Sequence, residues 1–257
     1  MSWPDSVTRI ECTNAKTLGV RLAEDTSAQL QKAIQTRGSA CLLVSGGSTP
    51  LPFFQALSDR DIDWSRVNIA LVDERWVDPD HADSNERLVR ENLVIGRASA
   101  ARFISSVSAD GSDKREATAM AALPGYAEKM HSLLHAHEGA FDVTVLGMGS
   151  DAHTASLFPA SSVSNIGRHP TDHLQIIDGN DLSAAELVTL VKPCTAPHER
   201  LSLTFSGIFR SRSLLLHIVG DEKREVLSQA LQLDDHTVAP ITAVFRHADP
   251  VVYWSSD

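Results

Sequence analysis

The chain has 257 residues, of which 42% are hydrophobic, enough to bury one large α/β core. Lys and Arg number 23 against 33 Asp and Glu, a formal charge of −10, which argues against a nucleic-acid surface or an anionic membrane as the main partner. A small anion remains admissible, because a few local cations and backbone N–H groups outweigh a distant negative field.

In chain order, residues 18–35 place Leu18, Leu22, Leu30 and Ile34 at helical spacing and stop at Gly38, which predicts an amphipathic helix. The apolar run 40–44 predicts a strand that breaks into a glycine turn and a further helix. Runs 67–72, ending at Asp73, and 141–146, ending at Gly147-Met148-Gly149, predict two more buried strands. Runs 201–205, 213–219 and 251–254 are also strand-like, and residues 85–93, 116–135 and 223–231 are helical in pattern. Residues 97–113 and 159–183, rich in Ser, Ala, Gly and Asp, read as surface loops. Strands alternating with helices predict an α/β fold, one domain over residues 1–257 with a mostly parallel sheet covered on both faces. Ligands of such sheets bind beyond the carboxyl ends of the strands.

Cys12, Cys41 and Cys194 are odd in number, far apart and without metal-ligand spacing. They suit a reducing compartment and read as small buried hydrophobes. The first 14 residues carry Trp3, Pro4, Asp5 and Glu11 where a secretory signal needs a basic start and an apolar run. No window approaches a membrane span of ~20 apolar residues, so a cytoplasmic chain is expected.

Ser45-Gly46-Gly47-Ser48-Thr49-Pro50 follows a strand, with Pro50 suited to the first turn of a helix. Two glycines let the turn's N–H groups converge on an anion such as a phosphate, and the hydroxyls add donors. A plain glycine-rich turn with a Ser/Thr cap accounts for the same residues equally well. At the end of the second strand, Asp73 and Arg75 stand two residues apart and project together, Arg75 offering a planar donor fork. Glu74 and the following Asp78, Asp80 and Asp83 read as solvated.

The densest candidate runs from Gly147 to Pro159, with Asp151 two residues before His153 in a glycine-opened turn. A histidine there is a natural general base for water, and an acidic neighbour fixes its tautomer. The same stretch satisfies a loose G-x-G-x-x-A pattern, but no acidic residue ends a following strand at the distance a dinucleotide site needs. His131, His135 and His137 lack the Glu of a zinc-protease helix and read as a solvated helix face. No G-x-S-x-G elbow occurs.

Taken in order, residues 43–50, Val72-Asp73-Glu74-Arg75-Trp76-Val77 with Ser84-Asn85, residues 146–159, Arg200-Leu201-Ser202-Leu203-Thr204 and Gly220-Asp221-Glu222-Lys223 resemble the 6-phosphogluconolactonase family over nearly the whole chain. The resemblance implies a three-layer αβα Rossmann-like fold shared with glucosamine-6-phosphate deaminases. It also implies hydrolysis of a sugar-phosphate lactone in the pentose phosphate pathway with no cofactor and no metal. A monomer or weak homo-oligomer is expected. Through it, His153 matches the general base and Asp151 its motif partner. Ser45, Gly46, Gly47, Ser48 and Thr49 match the phosphate-side loop, Asp73 and Arg75 the polar pair at the site's edge, and Arg200 and Lys223 basic positions that meet the phosphate. Lys192, in Val191-Lys192-Pro193, resembles a family Lys-Pro element. Ala152 departs from the pattern, which has Gly there; at a positive φ it would strain the turn by roughly 1–2 kcal/mol. A glucosamine-6-phosphate deaminase is the first alternative, but Leu157-Phe158-Pro159 stands where that family carries an Asn-Glu-Pro element. A non-catalytic sugar-phosphate sensor is the second.

Overall fold

The computed structural model describes residues 7–106, 118–162 and 181–257. Strand β1 (Arg9–Cys12) leads into helix α1 (Ala15–Arg37), which starts on a reciprocal cap. Asn14 Oδ1 accepts from Thr17 N at 2.9 Å, and Thr17 Oγ1 accepts from Asn14 N at 3.3 Å. The helix stops at Gly38, whose φ of 84° is the left-handed cap that glycine adopts without strain. Strand β2 (Ala40–Val44) is apolar throughout because both its faces are buried. Ala40, Leu42 and Val44 pack with α1, whereas Cys41 and Leu43 point into the core on the other face, the alternation a strand imposes.

The chain continues through α2 (Leu51–Ser58), β3 (Val67–Leu71), β4 (Asp73–Arg75), α3 (Asn85–Asn92) and β5 (Arg102–Ile104). Then come α4 (Ala119–Ala136), β6 (Val143–Leu146), β7 (Val188–Val191), β8 (Arg200–Leu203) and the short α5 (Phe205–Ile208). It closes with β9 (Leu214–Val219), α6 (Asp221–Leu233), α7 (Ile241–His247) and β10 (Val251–Ser255). Seven strands form one parallel sheet in the order β1-β10-β9-β6-β2-β3-β5. Helices α1, α2 and α3 cover one face and α4 to α7 the other, as the alternating pattern predicts. From β2 the chain builds outward through β3 and β5, returns by α4, and builds the opposite way from β6 through β9 and β10. The strand order therefore switches between β2 and β6, and the loops leaving these neighbours diverge to opposite faces and leave a crevice.

A second sheet, antiparallel in the order β4-β8-β7, was not foreseen. Run 201–205 contributes to it rather than to the main sheet, and Phe205 already begins α5. Its strands bury Val188, Leu190, Leu201 and Leu203 in the core beside α4. Residues 97–113, read as loop, include a 3-10 turn (Gly96–Ala100) and the edge strand β5; residues 107–113 lie outside the described residues. Of the loop read at 159–183, Ala160–Ser162 is a 3-10 turn, and residues 163–180 lie outside the description. His137 does not join a solvated face. It caps α4 and is buried, with Nε2 3.0 Å from Asn68 Nδ2 and Nδ1 3.6 Å from Asp142 Oδ2, while His131 and His135 are exposed. Cys41 is buried, Cys12 half-buried and Cys194 exposed, all three as free thiols. No described helix is long and apolar enough to cross a membrane.

Candidate active site

A cleft of about 390 Å³ opens over the carboxyl ends of β2 and β6, at the point where the strand order switches. Two turns form its floor and are tied together there. Ser45 N donates to Val145 O at 3.0 Å, and Gly147 N donates to Ser45 Oγ at 3.2 Å. Gly46 is required by space: a Cβ on it would lie 1.9 Å from Asn85 Oδ1. Gly47 is required by conformation, at φ 93°. Pro50 precedes α2 as its cap, and Pro52 occupies the first turn. Ser45, Gly46, Gly47, Ser48 and Thr49 all line the cleft.

The turn after β6 aims the histidine. His153 Nδ1 lies 2.5 Å from Asp151 Oδ1, and the same oxygen accepts from His153 N at 3.2 Å. With Nδ1 engaged, Nε2 is the nitrogen left to face the cleft. Burial works to raise the Asp151 carboxyl, but the hydrogen bonds from His153 outweigh it and hold the group below its ordinary value. Asp151 therefore carries a full negative charge behind the ring and fixes its orientation through Nδ1. Gly149 leaves room for this pair, since a Cβ there would lie 2.2 Å from the imidazole. Phe158 closes the other side, its ring centroid 4.4 Å from that of His153. Ala152 has φ 62°, the left-handed conformation expected of the family's glycine. Its backbone is held by Ala152 N to Gly149 O at 3.2 Å and Ile241 N to Ala152 O at 3.0 Å.

The small sheet supplies the wall. In the β4–β8 register Arg75 stands directly opposite Arg200, an arrangement of like charges that destabilises a sheet unless an anion sits between them. Both residues line the cleft. Arg75 Nη1 donates to Asp83 O at 2.8 Å, whereas Arg75 Nε and Arg200 Nη1 are buried without a hydrogen-bond partner among the described residues. Burial lowers the Arg200 pKa, partly offset by Asp73, with Arg75 lowering it further. Arg200 also lies over the Phe158 ring, 5.1 Å from its centroid. Asp73 accepts from Ser156 Oγ at 2.6 Å and is buried. Lys223, in the first turn of α6, faces the cleft from the far side.

Asp151 stands behind His153 rather than in the cleft wall, and Lys192 is outside the wall altogether. Its ammonium lies 3.5 Å from Glu199 Oε1 on a largely exposed side chain. Glu74 is not solvated but almost fully buried, 1% exposed. Its carboxylate accepts from Arg75 N, Ser84 Oγ, Asn85 N and Glu86 N at 2.7–3.0 Å. It is thus the anion at the N-terminus of α3, and it seats Asn85, whose Nδ2 donates to Asp73 O at 2.9 Å. Asn85, Ser156, Phe158 and His217 also reach the cleft and were not singled out from the sequence. Ser84-Asn85 carried a signal as a helix cap after an acidic strand end; His217, inside an apolar strand run, carried none.

Residues 13–254 match the family model described as glucosamine-6-phosphate isomerases/6-phosphogluconolactonase. The chain is 40% identical over 244 residues to a 6-phosphogluconolactonase of Rhizobium meliloti (strain 1021), covering 94% of this chain and 96% of that protein. It superposes on the crystal structure of a 6-phosphogluconolactonase from Shewanella baltica OS155 with a TM-score of 0.83 and 41% identity, over 97% of each chain. A monomeric glucosamine-6-phosphate deaminase shares the fold, with a TM-score of 0.70 at 18% identity over 97% of each chain.

Proposed function

We infer, from the premise that the chain belongs to the glucosamine-6-phosphate isomerase/6-phosphogluconolactonase family, that it hydrolyses 6-phospho-D-glucono-1,5-lactone to 6-phospho-D-gluconate in the pentose phosphate pathway. The observation that carries this reading is His153, backed by Asp151 at 2.5 Å, in one cleft with the opposed guanidiniums of Arg75 and Arg200. The substrate is a lactone carbonyl joined to a phosphate dianion, and it needs a base and an oxyanion donor at one end and cations at the other.

In this reading the phosphate rests against the N–H groups and hydroxyls of residues 46–49, with Arg200 and Lys223 as counter-charges. The lactone carbonyl then lies near His153. Water attacks the carbonyl carbon as its proton passes to His153 Nε2, and Asp151 stabilises the imidazolium. Arg75 or backbone N–H groups hold the oxyanion, each good donor contributing ~3–4 kcal/mol. When the tetrahedral intermediate collapses, the bond from the carbonyl carbon to the ring oxygen breaks. His153 returns its proton to that oxygen, and the new carboxylic acid ionises to water. Asp73, held by Ser156, orients the sugar hydroxyls and offsets the charge of the arginine wall. Every step uses side-chain and backbone groups of this protein and water, with no cofactor, in a cytoplasmic monomer or weak homo-oligomer.

The test is hydrolysis of freshly made 6-phosphogluconolactone by the chelator-treated protein, followed against the spontaneous rate. Turnover above background is expected, with kcat in His153→Ala lower by about 10²–10⁴-fold. Wild-type turnover in that variant would remove His153 from its role. Release of ammonia from glucosamine 6-phosphate would replace the lactonase reading with the deaminase one.

A further inference from the structure

Two loops meet at the rim of the cleft, one between β4 and α3, the other between β7 and β8. The first carries His81 and Asp83, the second His198. One ligating atom from each lies within 4.8 Å of the other two. His198 Nε2 is 2.9 Å and His81 Nδ1 is 3.8 Å from Asp83 Oδ2, and the two imidazoles meet edge to face with centroids 5.6 Å apart. His81 Nδ1 accepts the backbone N–H of Asp83 at 3.1 Å, so this nitrogen is unprotonated, and a modest turn of the ring away from that N–H frees its lone pair for a cation.

We propose that His81, Asp83 and His198 form a binding site for a divalent transition cation of the zinc class. Two imidazoles and one carboxylate are the donor set that such ions take in sites with an open fourth position, left here for water. Calcium and magnesium would ask for more oxygens than the cluster offers. Ligand atoms around zinc, at bonds of ~2.0–2.1 Å, stand about 3.3 Å apart in a tetrahedron. The separations of 2.9 and 3.8 Å bracket that value, so small rotations of three surface side chains complete the site. Their side chains are 46%, 50% and 27% exposed, which leaves them free to make those rotations and leaves the ion's fourth position open to solvent.

The placement gives the ion a consequence for the enzyme. Asp83 holds Arg75 through its carbonyl oxygen at 2.8 Å, and His198 precedes Arg200 by two residues. A cation on the cluster pins together the two loops on which both guanidiniums of the cleft wall depend. It lies outside the hydrolytic steps and acts on the rigidity of the rim. The site stands whether or not the lactonase reading holds, because it rests on different residues.

Calorimetric titration of the chelator-stripped protein with zinc chloride tests it, alongside cobalt(II) chloride followed by visible absorption. One equivalent should bind to the wild type, with affinity about tenfold or more weaker in His81→Ala, in His198→Ala and in Asp83→Asn. The cobalt absorption of a low-coordinate site should fade in the same three variants and persist in His153→Ala. Equal zinc affinity in the wild type and the rim variants would overturn the proposal. So would loss in His153→Ala alone, which would put the ion on the catalytic pair. Thermal denaturation without metal should leave the His81 and Asp83 variants, both exposed, at the wild-type midpoint, so that a lost heat of binding reports the ligands and not the fold.

Discussion

Ala152 sits at φ 62° in the turn that aims His153, and the magnitudes explain why an alanine is tolerated where the family resemblance leads one to expect glycine. The left-handed conformation costs an alanine roughly 1–2 kcal/mol. Against this, glycine would add about 0.4–1 kcal/mol of unfolded-chain freedom. The Ala152 methyl is also buried, 5% exposed, and a buried methyl contributes about 0.8 kcal/mol. The terms nearly cancel. Ala152→Gly should therefore leave the urea midpoint within about 0.5 kcal/mol of wild type and kcat unchanged. Ala152→Val, whose branched Cβ does not fit this region, should lose about 2 kcal/mol or more. A large gain in kcat for the glycine variant would mean that alanine holds His153 out of place.

Two elements, α3 and the β4–β8 pair, hold the polar wall. Glu74 joins them, since its carboxylate accepts three hydrogen bonds at the start of α3 and one from Arg75 N, while its own strand carries Asp73 and Arg75. An amide in its place would set two donors against donors. Glu74→Gln should cost about 2–3 kcal/mol in urea denaturation and raise KM more than it lowers kcat, because Asn85 and the glycine turn shift with the helix. The β4–β8 register places Arg75 against Arg200, so an anion should relieve their repulsion. Inorganic phosphate should raise the melting temperature of the wild type and do so much less in Arg200→Met. For the lactone, KM in that variant should rise about tenfold or more, the loss of one charge-assisted hydrogen bond of ~1.5–3 kcal/mol. Phosphate stabilisation equal in both proteins would place the anion elsewhere.

Over the whole molecule, the parallel sheet encloses a titratable group that contributes to its behaviour in acid. His217 lies in β9 beneath α2, 3% exposed, its ring edge-on to Phe53 with centroids 6.2 Å apart. Burial pushes its imidazole down from 6.5 to about 4. Between these values the unfolded chain binds a proton that the native chain refuses. Stability from this residue is thus complete above about pH 6.5, falls as the pH drops, and levels off below about pH 4, a total of about 3 kcal/mol. Urea midpoints measured between neutral pH and about pH 4.5 should fall more steeply for the wild type than for His217→Leu. Parallel slopes would show that His217 is solvated in acid.

The glycine turn, the Asp-x-His motif and the alternation of strand and helix are local patterns, and they pointed to the α/β class, to a histidine paired with an aspartate and to a glycine turn beside it, which the fold brings to one cleft. Short-range rules suffice there, because a turn's backbone and a strand's two buried faces are written in neighbouring residues. The small antiparallel sheet was not legible. Its strands β4, β7 and β8 are three or four residues long, and β4 lies far from the other two in the chain, so only tertiary pairing sets Arg75 against Arg200. Glu74 looked like any surface charge after a strand until α3 folded its N-terminus onto it. His217 was hidden in an apolar run, and Lys192 was drawn into the expected site by likeness alone and stands outside it. Local sequence determined which chemistry this chain could perform. Which side chains share one cleft was decided by the switch of strand order between β2 and β6 and by long-range strand register, which depend on contacts between residues a hundred positions apart.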